Sequence, residues 1–93
     1  MPAKRKPKKC KPAIDELIEV MARLRGPGGC PWDREQDHKS IRFHAVEEVY
    51  ELIDAIEADD DHEILEECGD LLLQVVFHCQ LAGERKAFDF EQA

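Results

Sequence analysis

The segment from about residue 61 to residue 82 constrains the fold most, because it predicts a helix that is apolar on nearly every side. Its centre reads LLLQVVF, and apolar residues continue in both directions. One narrow stripe of polar side chains at helical spacing interrupts this surface, namely Glu63, Glu67, Asp70, Gln74 and His78. Burying a carboxylate without a partner is very costly, so this stripe requires polar or cationic groups opposite it.

An amphipathic helix is predicted upstream, over residues 13–25. Its apolar positions recur at spacings of three and four, at Ile14, Leu17, Ile18, Met21 and Leu24. A long loop follows over residues 26–36, because Gly26-Pro27-Gly28-Gly29 breaks the helical pattern.

A second helix is expected to start near Ser40, a candidate N-cap, and to end at about Ala58. Its predicted buried stripe consists of Val46, Val49, Ile53 and Ile56. Three aspartates at 59–61 mark the next turn, and the third helix is expected to end before Gly83, a suitable C′ residue. Without strand alternation, the expected architecture is an all-α hairpin or small bundle.

The charge distribution favours a cation site over a nucleic-acid interface. The chain of 93 residues has 13 basic and 21 acidic side chains, and six of the basic ones lie at positions 4–11. The remaining seven basic residues face 21 acidic ones, a formal charge of −14, which repels nucleic-acid phosphates. The tail at 1–12 is expected to be disordered. If it binds nucleic acid, that binding is expected to be steeply salt-dependent and lost on deleting the tail.

The expected location is the cytoplasm. A charged start resembles a signal peptide, but Asp15, Glu16 and Glu19 interrupt the apolar stretch that must follow. No run of about 18 apolar residues is present, so no membrane span is expected. The four cysteines lack CxxC pairing, which favours reduced thiols over a zinc site. Because a chain this short buries little surface, association with a second copy is expected.

Two acidic motifs are predicted to meet. Glu47, Glu48 and Glu51 share one face of the second helix, with Glu47 about 40° and Glu48 about 60° from Glu51 around the axis. Taken alone this is typical of a solvated face, but Glu67 and Asp70 lie in an apolar helix and need a partner. A hard cation such as Mg²⁺ is the expected partner, because it takes oxygen ligands.

Other metal sites are disfavoured by the sequence. No calcium-binding loop of the EF-hand pattern is present. Di-iron bundles use paired Glu-x-x-His motifs, and Glu35-x-x-His38 is a single match that lies outside the carboxylate helices. Three other histidines, His44, His62 and His78, show no metal-ligand spacing and are interpreted as surface, cap or boundary residues.

The motifs resemble the MazG nucleotide pyrophosphohydrolases. The resemblance rests on CPWDREQ at 30–36, EEVYE at 47–51 and ECGDLLLQVVF at 67–77, and it spans residues 14 to 90. It implies an all-α pyrophosphatase fold, with residues 13–93 as a single MazG-like helical domain assembled as a dimer or dimer-derived oligomer. Because family members continue with a further helix and basic residues, a truncated C-terminus is also considered.

The resemblance implies hydrolysis of nucleoside triphosphates to monophosphate and pyrophosphate, in cleaning or regulating nucleotide pools. By this resemblance Glu48, Glu51, Glu67 and Asp70 are the expected Mg²⁺ ligands, with Mn²⁺ as an alternative ion. Glu47 or Glu51 is the expected catalytic proton acceptor. An alternative hypothesis is a catalytically idle, metal-binding helical module with a dimerisation or regulatory role.

Substrate contacts are assigned to three residues before the first acidic motif, at 47–51. Lys39 and Arg42 are the cations considered best placed for the phosphates. Trp32 is a candidate for stacking on the base, but a structural plug with a packed ring is the favoured interpretation.

Overall fold

A computed structural model of the chain describes residues 11–93, so all but Lys11 and Pro12 of the predicted tail lies outside the described residues. Four helices follow in the order α1 (Ala13–Arg25), α2 (Pro31–Arg34), α3 (His44–Glu57) and α4 (Asp61–Glu84). Over the described residues no strand is present, which confirms the all-α prediction. None of these helices is both long and apolar enough to cross a membrane.

The core lies where α1 packs against the C-terminal half of α4. Its buried members are Met21, Ile41, Val76, Phe77 and Leu81. Partly buried residues surround them, namely Ile14, Leu17, Ile18, Leu73 and Phe90. The predicted apolar stripe of α1 therefore packs as expected, except that Leu24 is half-buried outside this cluster.

Helices α3 and α4 form a hairpin through the predicted aspartate turn. Asp59 adopts a left-handed φ of 56°, and Asp60 is the N-cap of α4. The Asp60 carboxylate accepts a hydrogen bond of 3.2 Å from the backbone N–H of Glu63, which satisfies one free donor of the first turn. Because the turn is short, the acidic face of α3 is brought directly against α4.

The prediction that the apolar stripe of α3 is buried is wrong for the single chain. Its four members are 39–51% exposed: Val46, Val49, Ile53 and Ile56. Instead, Ala55 is buried and Glu48 and Leu52 are half-buried, at positions that recur along one face. The acidic side of α3 faces α4, so its apolar side points away from the hairpin.

The predicted start of this helix at Ser40 is also wrong. The Ser40 N–H donates to Asp37 Oδ1 at 2.8 Å, and the Asp37 N–H donates to Ser40 Oγ at 2.8 Å. These two bonds close a local turn, so Ser40 does not cap a helix, and α3 begins at His44. The preceding segment, predicted as a long loop, contains the short helix α2.

Helix α4 runs past Gly83, contrary to prediction, and ends at Glu84. Lys86, with φ 62°, takes the left-handed position that was assigned to Gly83. The N–H of Ala87 donates to the carbonyl of Ala82 at 2.9 Å, which closes the helix end.

Candidate metal centre

Three carboxylates from α3 and α4 converge at one point. One ligand oxygen from each of Glu48, Glu67 and Asp70 lies within 4.8 Å of the other two. Glu67 and Asp70 are neighbours because a spacing of three residues places them on one face of α4. Glu48 joins them from α3 because the hairpin lays the two helices side by side. The cluster therefore depends on the Asp59–Asp60 turn as much as on the acids themselves.

Three side-chain oxygens of α3 and α4 have no protein partner. Glu48 Oε1, Glu67 Oε1 and Gln74 Oε1 are shielded from solvent and form no hydrogen bond. A buried acceptor without a donor costs about 1–3 kcal/mol, and more when it is charged. A bound cation offsets this cost for a carboxylate, so the orphaned oxygens fit a metal site.

The acids strongly influence one another's protonation. Burial, followed by the negative charges of Glu51 and Asp70, raises the pKa of Glu67 from 4.5 to about 7. Burial and the same two charges also raise the pKa of Glu48. A carboxyl that holds its proton near neutral pH indicates that the cluster lacks positive charge within the protein.

The structure also places the two other predicted acids of α3. The negative charge of Glu51 raises the pKa of both Glu67 and Glu48, so Glu51 acts on the same group of acids. Glu47 is exposed, and its charge acts on the neighbouring Glu48. Three of the four predicted ligands thus converge, namely Glu48, Glu67 and Asp70, while Glu51 and Glu47 act on them through their charges.

The donor set suits a hard divalent ion. Every ligand atom in the cluster is a carboxylate oxygen, and neither histidine nor cysteine belongs to it. Magnesium prefers carboxylate oxygens and keeps part of its water shell, whereas zinc in closed sites favours nitrogen and sulfur. The residues present therefore fit Mg²⁺ or Mn²⁺ better than Zn²⁺.

The predicted substrate contacts lie on the segment before α3. Lys39 and Arg42 are exposed, and Arg42 Nη1 donates to the Lys39 carbonyl at 2.7 Å. The Arg42 guanidinium also lies 4.8 Å from the ring centroid of Phe43. Trp32 is 52% exposed and stacks parallel to His44, with centroids 6.0 Å apart. The interpretation of Trp32 as a packed plug is therefore wrong for the single chain.

Two features of the structure were not predicted from the sequence. His38 Nδ1 lies 2.7 Å from His78 Nδ1, with the rings nearly parallel. These residues are 40 positions apart, so no local spacing signals their contact. Gln74 was recognised as part of the polar stripe, but its orphaned oxygen depends on the packing of α3 against α4.

Comparison with known proteins identifies a family. A family model described as the MazG nucleotide pyrophosphohydrolase domain matches residues 36–93. This match includes both acidic motifs and the whole α3–α4 hairpin.

Individual relatives give the same result over a longer stretch. The chain is 53% identical over 78 residues to the nucleoside triphosphate pyrophosphohydrolase/pyrophosphatase MazG of Thermotoga maritima, covering 84% of this chain and 31% of that protein. It is 50% identical over 78 residues to the nucleoside triphosphate pyrophosphohydrolase of Escherichia coli K12, covering 83% and 30%. A protein of the same name from Mycobacterium tuberculosis is 41% identical over 75 residues, covering 81% and 22%. The chain thus spans less than a third of the length of these curated relatives.

Proposed function

The chain belongs to the MazG nucleotide pyrophosphohydrolase domain family, and from this membership we propose that it hydrolyses nucleoside triphosphates to monophosphate and pyrophosphate with Mg²⁺. The observation that carries the proposal is the convergence of Glu48, Glu67 and Asp70 within 4.8 Å. Fully buried oxygens of the two glutamates lack protein partners, as expected for acids that share a cation. The activity named for the relatives supports the choice of substrate class.

Four residues hold the cation in this proposal, namely Glu48, Glu51, Glu67 and Asp70. A divalent ion supplies charge neutralisation for the phosphates and acidifies a nearby water. The chain fixes the ligand positions through the hairpin, because two ligands come from each helix. Mn²⁺ is expected to substitute, since it accepts the same oxygen donors.

The proposed reaction is attack of water on the α-phosphorus. A bond forms between the water oxygen and this phosphorus, and the bond from the phosphorus to the α,β-bridging oxygen breaks. Pyrophosphate leaves with the bridging oxygen, and the proton of the water passes to a carboxylate. Glu47 and Glu51 are the proposed acceptors, because both are exposed to solvent whereas Glu48 and Glu67 are half-buried.

The segment before α3 is proposed to bind the rest of the substrate. Lys39 and Arg42 would contact phosphate oxygens, since they are exposed on the segment directly before α3 and its acidic motif. The exposed face of Trp32 would stack on the base, as π-faces of nucleobases and indoles pack well.

We also propose that the chain acts as a homodimer, or as a larger assembly built from dimers. The outward side of α3 exposes Val46, Val49, Ile53 and Ile56, and α4 exposes Leu65, Leu72 and Val75. Exposed apolar surface on two adjacent helices is typical of a face that packs on another protein. A second copy, with the same face, is the simplest partner in a symmetric assembly.

The cytoplasm is the proposed location. Cys30, Cys68 and Cys79 are free thiols in the structure, and burial raises the pKa of Cys79. A raised pKa keeps a thiol protonated and unreactive, which suits a reducing compartment.

The activity is tested with a panel of canonical and modified nucleoside triphosphates, with products separated by chromatography. We expect Mg²⁺-dependent formation of monophosphate and pyrophosphate in equal amounts, abolished by EDTA and restored by Mn²⁺. Formation of diphosphate and phosphate would contradict the proposed site of attack. Metal binding without cleavage of any substrate would favour the idle metal-binding module.

A further inference from the structure

One polar side chain beside the carboxylates has no role in the proposed reaction. Gln74 is half-buried on α4, and its Oε1 atom is shielded from solvent without a hydrogen-bond donor. A buried amide oxygen in this condition costs about 1–3 kcal/mol, yet an apolar side chain of similar size would avoid that cost. The position therefore calls for a ligand that satisfies this oxygen.

The helix places Gln74 next to the metal-binding acids. Gln74 follows Asp70 by four residues, which separates them by about 40° around α4 and about 6 Å along it. It follows Glu67 by seven residues, at nearly the same angle. Side chains on a helix tilt toward its N-terminus, which for position 74 is the direction of the turn that carries Asp70.

Two of the orphaned oxygens, on Glu67 and Gln74, thus belong to one face of α4, and the third belongs to Glu48 on α3. Glu48 Oε1 and Glu67 Oε1 require a cation, and Gln74 Oε1 requires a hydrogen-bond donor. Magnesium retains several waters when carboxylates bind it. These waters can donate hydrogen bonds to nearby acceptor oxygens. One bound, hydrated ion therefore satisfies the acids directly and the amide indirectly.

We infer that Gln74 is a positioning residue of the cation site, accepting a hydrogen bond from the hydration shell of the ion that Glu48, Glu67 and Asp70 hold. This rests on the cation site in the proposed function, but not on turnover. Partners that orient bound water commonly change metal affinity by 10- to 100-fold when removed. An amide at position 74 carries no charge, whereas a carboxylate there would add repulsion to a cluster that already lacks positive charge.

The test measures Mg²⁺ affinity by titration calorimetry on the nucleotide-free full chain, for the wild type, Gln74→Leu and Gln74→Met. Both substitutions remove the acceptor and keep a side chain of similar length or volume. The matched control is Gln80→Leu, on the same helix and also half-buried, where the Gln80 amide donates to Glu84 at 3.0 Å. We expect both Gln74 variants to bind Mg²⁺ about 10-fold more weakly and Gln80→Leu to bind it as the wild type does.

A melting curve in EDTA separates this role from a structural one. Removing an orphaned oxygen should leave the melting temperature of the metal-free Gln74 variants unchanged or raised. Mg²⁺ affinity within twofold of the wild type in both variants would overturn the inference and leave the proposed function intact. Failure of the wild type to bind Mg²⁺ at all would overturn both. The wild type could also bind Mg²⁺ in a way that depends on Gln74 and yet cleave no substrate. That result would support the inference about Gln74 and overturn only the proposed function.

Discussion

Arg25 and Glu84 form a two-point ion pair across 59 positions of the chain. Arg25 Nε donates to Glu84 Oε2 at 2.9 Å, and Nη2 donates to Oε1 at 2.6 Å. The remaining nitrogen, Nη1, donates to the carbonyls of Asp33 and Gln36 at 2.6 and 2.8 Å. Through these hydrogen bonds, one guanidinium links the end of α1 to the α2 segment and to the end of α4.

Replacing Arg25 with Lys is predicted to destabilise the fold by about 2 kcal/mol, because an ammonium cannot donate to the carboxylate and two carbonyls in fork geometry. Denaturation with urea measures the free energy of unfolding. Arg23→Lys is the control, since Arg23 is exposed on the same helix. Equal losses in both variants would show that the fork geometry of Arg25 does not matter.

The contact between His38 and His78 predicts a pH dependence of stability. Burial, and then the neighbouring His38, lowers the pKa of His78 below 6.5 in the fold. The unfolded chain therefore binds a proton first, and stability falls as the pH drops from 6.5 through the lowered pKa. Arg85 Nη2, 3.5 Å from His38 Nε2, adds positive charge at the same place.

His78→Gln is expected to reduce this loss, because the amide keeps a polar contact but does not titrate. The measurement is the free energy of unfolding at pH 7.5 and pH 5.5. His62→Gln is the control, since His62 is 74% exposed in its side chain and pairs only with the exposed Glu66 among the contacts described. A wild-type pH dependence in His78→Gln would argue against the histidine pair as its source.

The sequence predicts the helices of this fold better than their surroundings. The stripe of α1 and the turn at Asp59–Asp60 follow from local rules, namely helical spacing and capping chemistry. Periodicity shows that Val49 and Ile53 lie on an apolar face, but it does not show whether α4 or another chain covers that face. Burial of this stripe within a single chain was therefore predicted wrongly.

The candidate site could also be predicted from the sequence only in part. Glu48, Glu67 and Asp70 could be selected because two acids in an apolar helix need a partner, and the motif resemblance supplied the acids of α3. The contact of His38 with His78 could not be predicted, since it depends on the course of a loop stabilised by Arg25. Pairings of this kind need tertiary coordinates, because no spacing rule links the two positions.

Mg²⁺ is predicted to raise the melting temperature of the wild type, because it binds the folded acids and relieves their repulsion. At 100 times the measured Kd, the stabilisation is about 2.7 kcal/mol. Glu67→Gln should melt higher than the wild type in EDTA, since it removes a half-buried charge that the other acids repel, and should respond less to Mg²⁺. NaCl at matched ionic strength controls for screening, and an equal Mg²⁺ response in both proteins would contradict a role for Glu67.

The apolar side of α3 is predicted to mediate self-association. Val49→Lys should shift the chain toward monomer, because a charge in an apolar interface must lose its hydration. Val20→Lys is a matched control, since Val20 on α1 is 38% exposed and Val49 is 39% exposed. Sedimentation velocity over a range of concentrations gives the mass of each species. A wild type that stays monomeric throughout, or an unchanged mass in Val49→Lys, would count against this interface.

The most direct test of the cation-dependent hydrolase is pyrophosphate release by Asp70→Asn at saturating Mg²⁺ and nucleoside triphosphate. Asp70 is exposed, so the amide should preserve the fold while removing one charged ligand. Asp54→Asn, at an exposed position on α3, is the control. We predict pyrophosphate release by the wild type and by Asp54→Asn, and a loss of at least about 100-fold in Asp70→Asn. Release at the wild-type rate by Asp70→Asn would contradict the account.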